Sequence, residues 1–146
     1  MTQNVWQLLS VSWDGTNLKL YRDGVDPTPA TPLDNACTQT DNMYRVSIGA
    51  DIVSGNIAGG RYHSVAVWDS ALTSGEMLAI YNSGDGEGFD LSTDSGSYTS
   101  SSDLVRWWRL GLDSTDIGKD YVDDNVDVMD DAANITSGDI VTDSPT

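Results

Sequence analysis

Two tryptophans between two arginines, Arg106-Trp107-Trp108-Arg109, are the residues of this 146-residue chain best suited to holding something. In an extended segment neighbouring side chains point to opposite faces, so one indole can enter a core while the other turns outward. An outward indole beside a guanidinium can stack on a sugar ring, on another guanidinium or on a partner subunit. Trp6 offers the same choice. Trp6, Arg106, Trp107, Trp108 and Arg109 are therefore the candidate set for glycan or partner binding. Aromatic and arginine side chains are enriched at protein interfaces, which makes a partner at least as good an expectation as a sugar.

Catalysis has little to work with. Hydrolysis of a glycosidic bond needs two carboxyl groups at a controlled separation. The two glutamates do not offer that: Glu76 has the spacing of a helix cap and Glu87 lies in a glycine loop. His63 is the single histidine, and its neighbour Ser64 points to the other face of a strand, so the two form no nucleophile–base pair. Cys37, in a proline-flanked loop without a visible base, reads as a bystander, and a lone cysteine rules out an intrachain disulfide. Asp123-x-Asn125-x-Asp127 has the first three ligand positions of a calcium loop, but Val128 stands where glycine is required and Asn134 where a bidentate glutamate is required. Asp90-x-Ser92-x-Asp94 fails in the same way. No enzyme activity and no cofactor are expected. Asp123, Asn125 and Asp127 are the calcium candidates, and calcium joined by acids from separate loops also stays open.

The elements that must position these residues are mostly strands. "VSWDGTNLKLYRDG", residues 11–24, reads as a hairpin turning at Asp14-Gly15 and closed by a second turn at Asp23-Gly24. Its second strand puts Leu18, Leu20 and Arg22 on one face and Lys19 and Tyr21 on the other. Such a ribbon needs a further layer over its apolar face. Prolines 27, 29 and 32 exclude a central strand before a short one at about Tyr44 to Gly49. "RYHSVAVWD" alternates, with Tyr62, Ser64, Ala66 and Trp68 opposite Arg61, His63, Val65 and Val67. "ALTSGEMLAIYNSG" is the one helix, near 73–83, with Thr73 and Glu76 at capping-box spacing and Gly84 placed to end it. A Gly-, Ser- and Asp-rich linker covers 85–102, and "DLVRWWRLG" opens a run of C-terminal strands over 103–146. In "DLVRWWRLG" simple alternation puts Val105 and Trp107 opposite Leu104, Arg106, Trp108 and Leu110.

Composition narrows the partners. A net charge of −16, with 23 acids against seven Lys and Arg, argues against nucleic acid and anionic membrane surfaces. Of those acids 21 are Asp, which suits turns better than helix interiors and fits a loop-rich β protein. No run of about 18 apolar residues crosses a membrane, and the first residues lack the basic and apolar regions of a secretory signal. The length suits a single domain.

The Trp13-Asp14-Gly15 turn with Leu20, Tyr21, Asp23 and Gly24, followed by Val65, Val67, Trp68, Ala71, Leu72, Glu76, Ile80, Tyr81, Asn82 and Gly84, resembles the laminin-G-like, concanavalin A-like jelly-roll family. "LVRWWRLG" and the Asp-rich tail look like segments beside such domains in phage structural proteins. The resemblance implies an all-β, two-sheet antiparallel jelly-roll sandwich with one short helix, in which 1–84 form the laminin-G-like core and 103–146 complete the sandwich. It implies a non-enzymatic virion structural or capsid-decoration protein at the particle surface, working as a homo-oligomer and against other virion proteins. The alternative is a lectin-like adhesion module for host-surface glycans. His63 and Ser64 stand where many members carry acids, and the jelly-roll glucanases' E-x-D-x-x-E strand motif has no counterpart in this chain.

Overall fold

The structure is a computed structural model that describes residues 5–25, 60–86, 88–110 and 119–123. Expectations for the Tyr44–Gly49 strand, for Cys37 and Glu87, and for the chain beyond Asp123 lie outside these residues. Among the described residues the class is all-β: two antiparallel two-stranded sheets and one short α-helix.

The first sheet is the hairpin of β1 (Leu9–Trp13) and β2 (Leu18–Arg22), with Trp13 opposite Leu18 and Leu9 opposite Arg22. Its loop spans four residues and is held by Asp14 Oδ1, which accepts from Thr16 N at 2.9 Å and Asn17 N at 2.7 Å. The next turn is tighter. Asp23 and Gly24 both have positive φ, 55° and 74°, while Arg22 and Val25 exchange backbone hydrogen bonds. Two successive positive φ values define a type I′ turn, which asparagine, aspartate and glycine tolerate.

The hairpin docks by the face that looks less suited to it. Ser12 and Tyr21 are buried, and Ser12 Oγ donates to Leu72 O at 3.3 Å. The opposite face, Leu9, Val11 and Trp13 with Leu18 and Leu20, is the more apolar, yet Leu9 and Val11 are each 61% exposed. Gly24 explains the choice. A Cβ at this position would stand 2.5 Å from Leu78 Cα, so the second turn lies directly against helix backbone. Only glycine permits that approach together with that φ.

The helix α1 (Ser74–Tyr81) begins as its sequence promises. Thr73 Oγ1 accepts from Glu76 N, and the Glu76 carboxylate accepts from Thr73 N, a complete capping box. Its end differs from expectation. Asn82 takes the left-handed position at φ 46°, two residues before Gly84, because a short polar side chain also tolerates that conformation.

The second sheet pairs β3 (Val65–Trp68) with β4 (Leu104–Trp108). Strand β3 is shorter than the alternation suggested and leaves Arg61 to Ser64 outside it. In β4, Arg106 opposes Val67 and Leu104 opposes Trp68, so Val105 is an extra residue. Such a bulge shifts the side-chain phase by one. Leu104 and Trp107 consequently share the buried face, correcting the simple alternation that set them apart. Leu91, Tyr98, Leu104 and Trp107 form the larger core, and Tyr21, Leu72 and Met77 the smaller one. Trp68 and Ile80 touch both and join hairpin, helix and second sheet. The Gly- and Ser-rich stretch 85–102 thus contributes two core residues.

Tyr98 is fully buried and satisfied. Its hydroxyl donates to Leu91 O and accepts from Trp68 Nε1, both at 2.9 Å. Burial pushes its pKa upward.

Candidate functional site

The bulge in β4 decides what the arginine–tryptophan run can do. Trp107 is 6% exposed and anchors the core, with Nε1 donating to Ser64 Oγ at 3.0 Å. Trp108 lies on the other face of the sheet, opposite Val65, and is half-buried. The two indoles are separated, as neighbours in a strand must be.

Beyond β4 the segment Lys119–Asp123 is pinned against the strand by one carboxylate. Asp120 is fully buried, and its Oδ1 accepts from Trp107 N at 3.0 Å and Val122 N at 2.9 Å. Oδ2 faces Arg106 Nε at 3.2 Å, an ion pair whose geometry falls short of a hydrogen bond. Tyr121 N donates to Trp107 O at 2.8 Å and completes the attachment. Arg106 also meets Asp123 Oδ2 at 3.2 Å through Nη1. Asp123, the first calcium candidate, therefore has a guanidinium beside it, while Asn125 and Asp127 lie outside the described residues. Among the described residues no group of three or more His, Cys, Asp or Glu is arranged to hold a metal ion.

The pinned segment brings Tyr121 to Trp107, with ring centroids 5.5 Å apart. The Arg109 guanidinium sits over both rings, 5.4 Å from the Trp107 centroid and 5.6 Å from that of Tyr121. Lys119 Nζ lies 5.0 Å from the Tyr121 centroid. These distances are within cation–π range. Beside Arg109 is an open hollow of about 300 Å³, walled by Phe89, Asp90, Ser92, Trp107, Arg109 and Tyr121. Phe89 is fixed edge-to-face on Tyr98, with ring centroids 5.7 Å apart. Asp90 Oδ1 accepts from Ser92 N at 2.9 Å and Ser92 Oγ at 2.6 Å, and Oδ2 makes no hydrogen bond among the described residues. The Ser92 hydrogen bonds, against a smaller opposing effect of burial, hold the Asp90 carboxyl below its ordinary range, with Arg109 adding to them.

Of the five candidates, Trp107 and Arg109 reach this hollow, and Arg106 serves the clamp beneath it. Trp108 is on the far side of the sheet. Trp6 belongs elsewhere, packed edge-on against His63 with ring centroids 6.3 Å apart. Phe89 and Tyr121 were not singled out, and Asp90 and Ser92 drew attention only as part of a calcium pattern that fails, because loops supply all four. The usable signal was the chain's single Phe and a Tyr next to an Asp-Lys pair, both outside regular strands.

The exposed apolar face of the hairpin is the other feature of note, with Val5 and Val25 also open, at 59% and 60% exposure. Among the described residues no helix is long and apolar enough to cross a membrane.

The family model described as the Concanavalin A-like lectin/glucanases superfamily, of laminin G type, matches residues 1–77, more than half of the 146-residue chain. That span holds β1, β2 and β3 and the first turn of α1. No curated protein and no solved structure matches the chain.

Proposed function

Because the chain belongs to the concanavalin A-like lectin/glucanases superfamily, we propose that it is a non-enzymatic binding module acting as a structural or decoration protein on a phage particle. It works through protein–protein contacts. The observation that carries this reading is the outer face of the hairpin. Leu9 and Val11 are 61% exposed and Trp13 is 37% exposed, side by side on strand positions that alternate with the buried Ser12. Contiguous apolar surface of this kind marks an interaction site in a protein whose net charge of −16 otherwise keeps it apart from its neighbours. Self-association and contacts to other virion proteins would both use this face. Mass analysis of intact particles from the source tests the reading. A fixed copy number per particle is expected, and absence from particles would refute it.

A second reading, a lectin-like adhesion module, is favoured by one observation: the aromatic-walled hollow with a carboxylate and a guanidinium on its rim. A glycan array run with and without calcium separates the two roles. Selective glycan binding supports the second, and a blank array leaves the protein-contact role to stand alone.

A further inference from the structure

The outer face of the hairpin carries a pattern beyond its apolarity. Cross-strand partners share a face, so the register sets Leu9 beside Arg22, Val11 beside Leu20 and Trp13 beside Leu18. Arg22, an exposed cation, stands at one end of this stripe, and Asp14 follows Trp13 at the other. Resting on the protein-contact reading, we infer that this face binds a second copy of the chain, sheet against sheet. The two-fold axis runs across the strands near Val11, so that Arg22 of each copy meets Asp14 of the other.

Symmetry explains the choice of partner. A two-fold contact uses one patch twice, so the patch must be complementary to itself. An axis across the strands lays each β1 antiparallel over the other β1. The cationic end then falls on the anionic end, twice, and Val11 faces Val11. The indole of Trp13 falls over the smaller Leu9, which pairs large with small at both ends. An axis along the strands does the opposite. It gathers both Arg22 side chains at one end and both Asp14 side chains at the other, and crowds the two indoles together.

Net charge then decides where two such chains can touch. Each carries −16, and with a Debye length of about 8 Å at physiological salt the charges near the contact dominate the repulsion. On the outer face one arginine stands against one aspartate. Arg22 makes no ion pair among the described residues. The Asp14 carboxylate is exposed and aimed by its turn, with Oδ1 taking the Thr16 and Asn17 amides and Oδ2 accepting from Asn17 Nδ2 at 3.2 Å. The Asn17 and Thr16 backbone bonds hold it below the ordinary carboxylate range, and Lys19, on the inner face, adds least. Beyond Arg22, Asp23 is turned back into the hairpin, where Oδ1 accepts from Leu8 N at 3.0 Å.

Sedimentation equilibrium of the full chain in moderate salt tests the pairing. Arg22→Gln should weaken the dimer about fivefold, through the loss of two exposed ion pairs, one at each end. Asp14→Ser should weaken it by a similar factor, although it relieves a −16 chain of one negative charge. The serine hydroxyl still accepts from the turn amides, so the melting temperature should not change. Lys19→Gln removes the same charge from the inner face and should leave the dimer within about twofold of the wild type. Orientation is read with a short bis-maleimide on single-cysteine variants in a Cys37→Ser background, since Cys37 is the chain's single cysteine. Val11→Cys should link to its own copy across facing sheets about 10 Å apart. Leu9→Cys should not, because its two copies are offset by four residues, about 13 Å along the strands. Self-linking of Leu9→Cys, or a dimer that Asp14→Ser leaves unchanged or tightens, overturns the arrangement. The protein-contact reading survives that result if Leu9→Ser, Val11→Ser still abolishes association. A wild type that stays monomeric at every concentration overturns the second copy as occupant, and the copy number in particles then judges the protein-contact reading separately.

Discussion

Replacing Glu76 by glutamine should destabilise the protein near neutral pH and leave it almost unchanged in strong acid. The Glu76 carboxylate is 5% exposed and accepts from Thr73 N at 2.9 Å, Thr73 Oγ1 at 2.8 Å, Ser100 Oγ at 2.5 Å, Thr99 N at 3.3 Å and Thr99 Oγ1 at 3.4 Å. It therefore ties the start of α1 to the loop that leads into β4. Burial pushes its pKa upward and is the largest single influence, but the bonds from Ser100, Thr73 and Thr99 together outweigh it. They bring the group from 4.5 to about 2. At about 1.4 kcal/mol per unit, such a depression is worth about 3 kcal/mol at neutral pH. The folded pKa lies below the unfolded one, so this stability is present above pH 4.5 and is lost as pH falls toward 2. Glutamine keeps the shape but turns an amide N–H₂ toward donors, leaving them unpaired. Urea denaturation of wild type and Glu76→Gln at several pH values between 7 and 2 isolates the effect, because the other carboxylates titrate alike in both. A gap of about 3 kcal/mol above pH 5 that closes toward pH 2 is expected. A gap independent of pH, or none, would refute the reasoning.

Gly24→Ala should destabilise by about 2 kcal/mol or more, since it adds a Cβ against Leu78 backbone at a φ of 74°; an unchanged melting curve would mean that the turn does not rest on α1. Asp120→Ala should cost about 3 kcal/mol by stranding Trp107 N, Val122 N and Arg106, with Tyr121 fluorescence reporting its release from Trp107. Asp120→Asn should cost less in denaturant melts, because Oδ1 is kept as an acceptor. At a net charge of −16, self-association should strengthen as salt rises past roughly 0.15 M, and sedimentation showing the tightest association in the lowest salt would contradict this.

Local signals in the chain were legible where one residue type solves one local problem. Asp14-Gly15 and Asp23-Gly24 marked turns, Thr73 and Glu76 marked the helix start, and Ala66 with Trp68 shared an inward face. What escaped depends on contacts between distant residues. The bulge at Val105 reverses the phase of β4, and no residue type announces it. The docked face of the hairpin follows from Gly24 meeting Leu78, 54 positions away, and not from which face is more apolar. Half of the candidate site was visible as Trp107 and Arg109. Its other half, Phe89, Asp90 and Tyr121, sits in loops whose place is set by Tyr98 packing and by the Asp120 clamp. Buried carboxylates such as Asp120 look like every other aspartate until their partners are known.

Whether the outer face of the hairpin is the contact surface proposed above is decided by sedimentation equilibrium. The wild type is compared with a Leu9→Ser, Val11→Ser double variant that leaves the charge unchanged. Both side chains are exposed, so the variant should melt within about 0.5 kcal/mol of the wild type. A concentration-dependent oligomer is expected for the wild type in moderate salt and a monomer for the variant. Two chains that sediment as the same species under all conditions would contradict it.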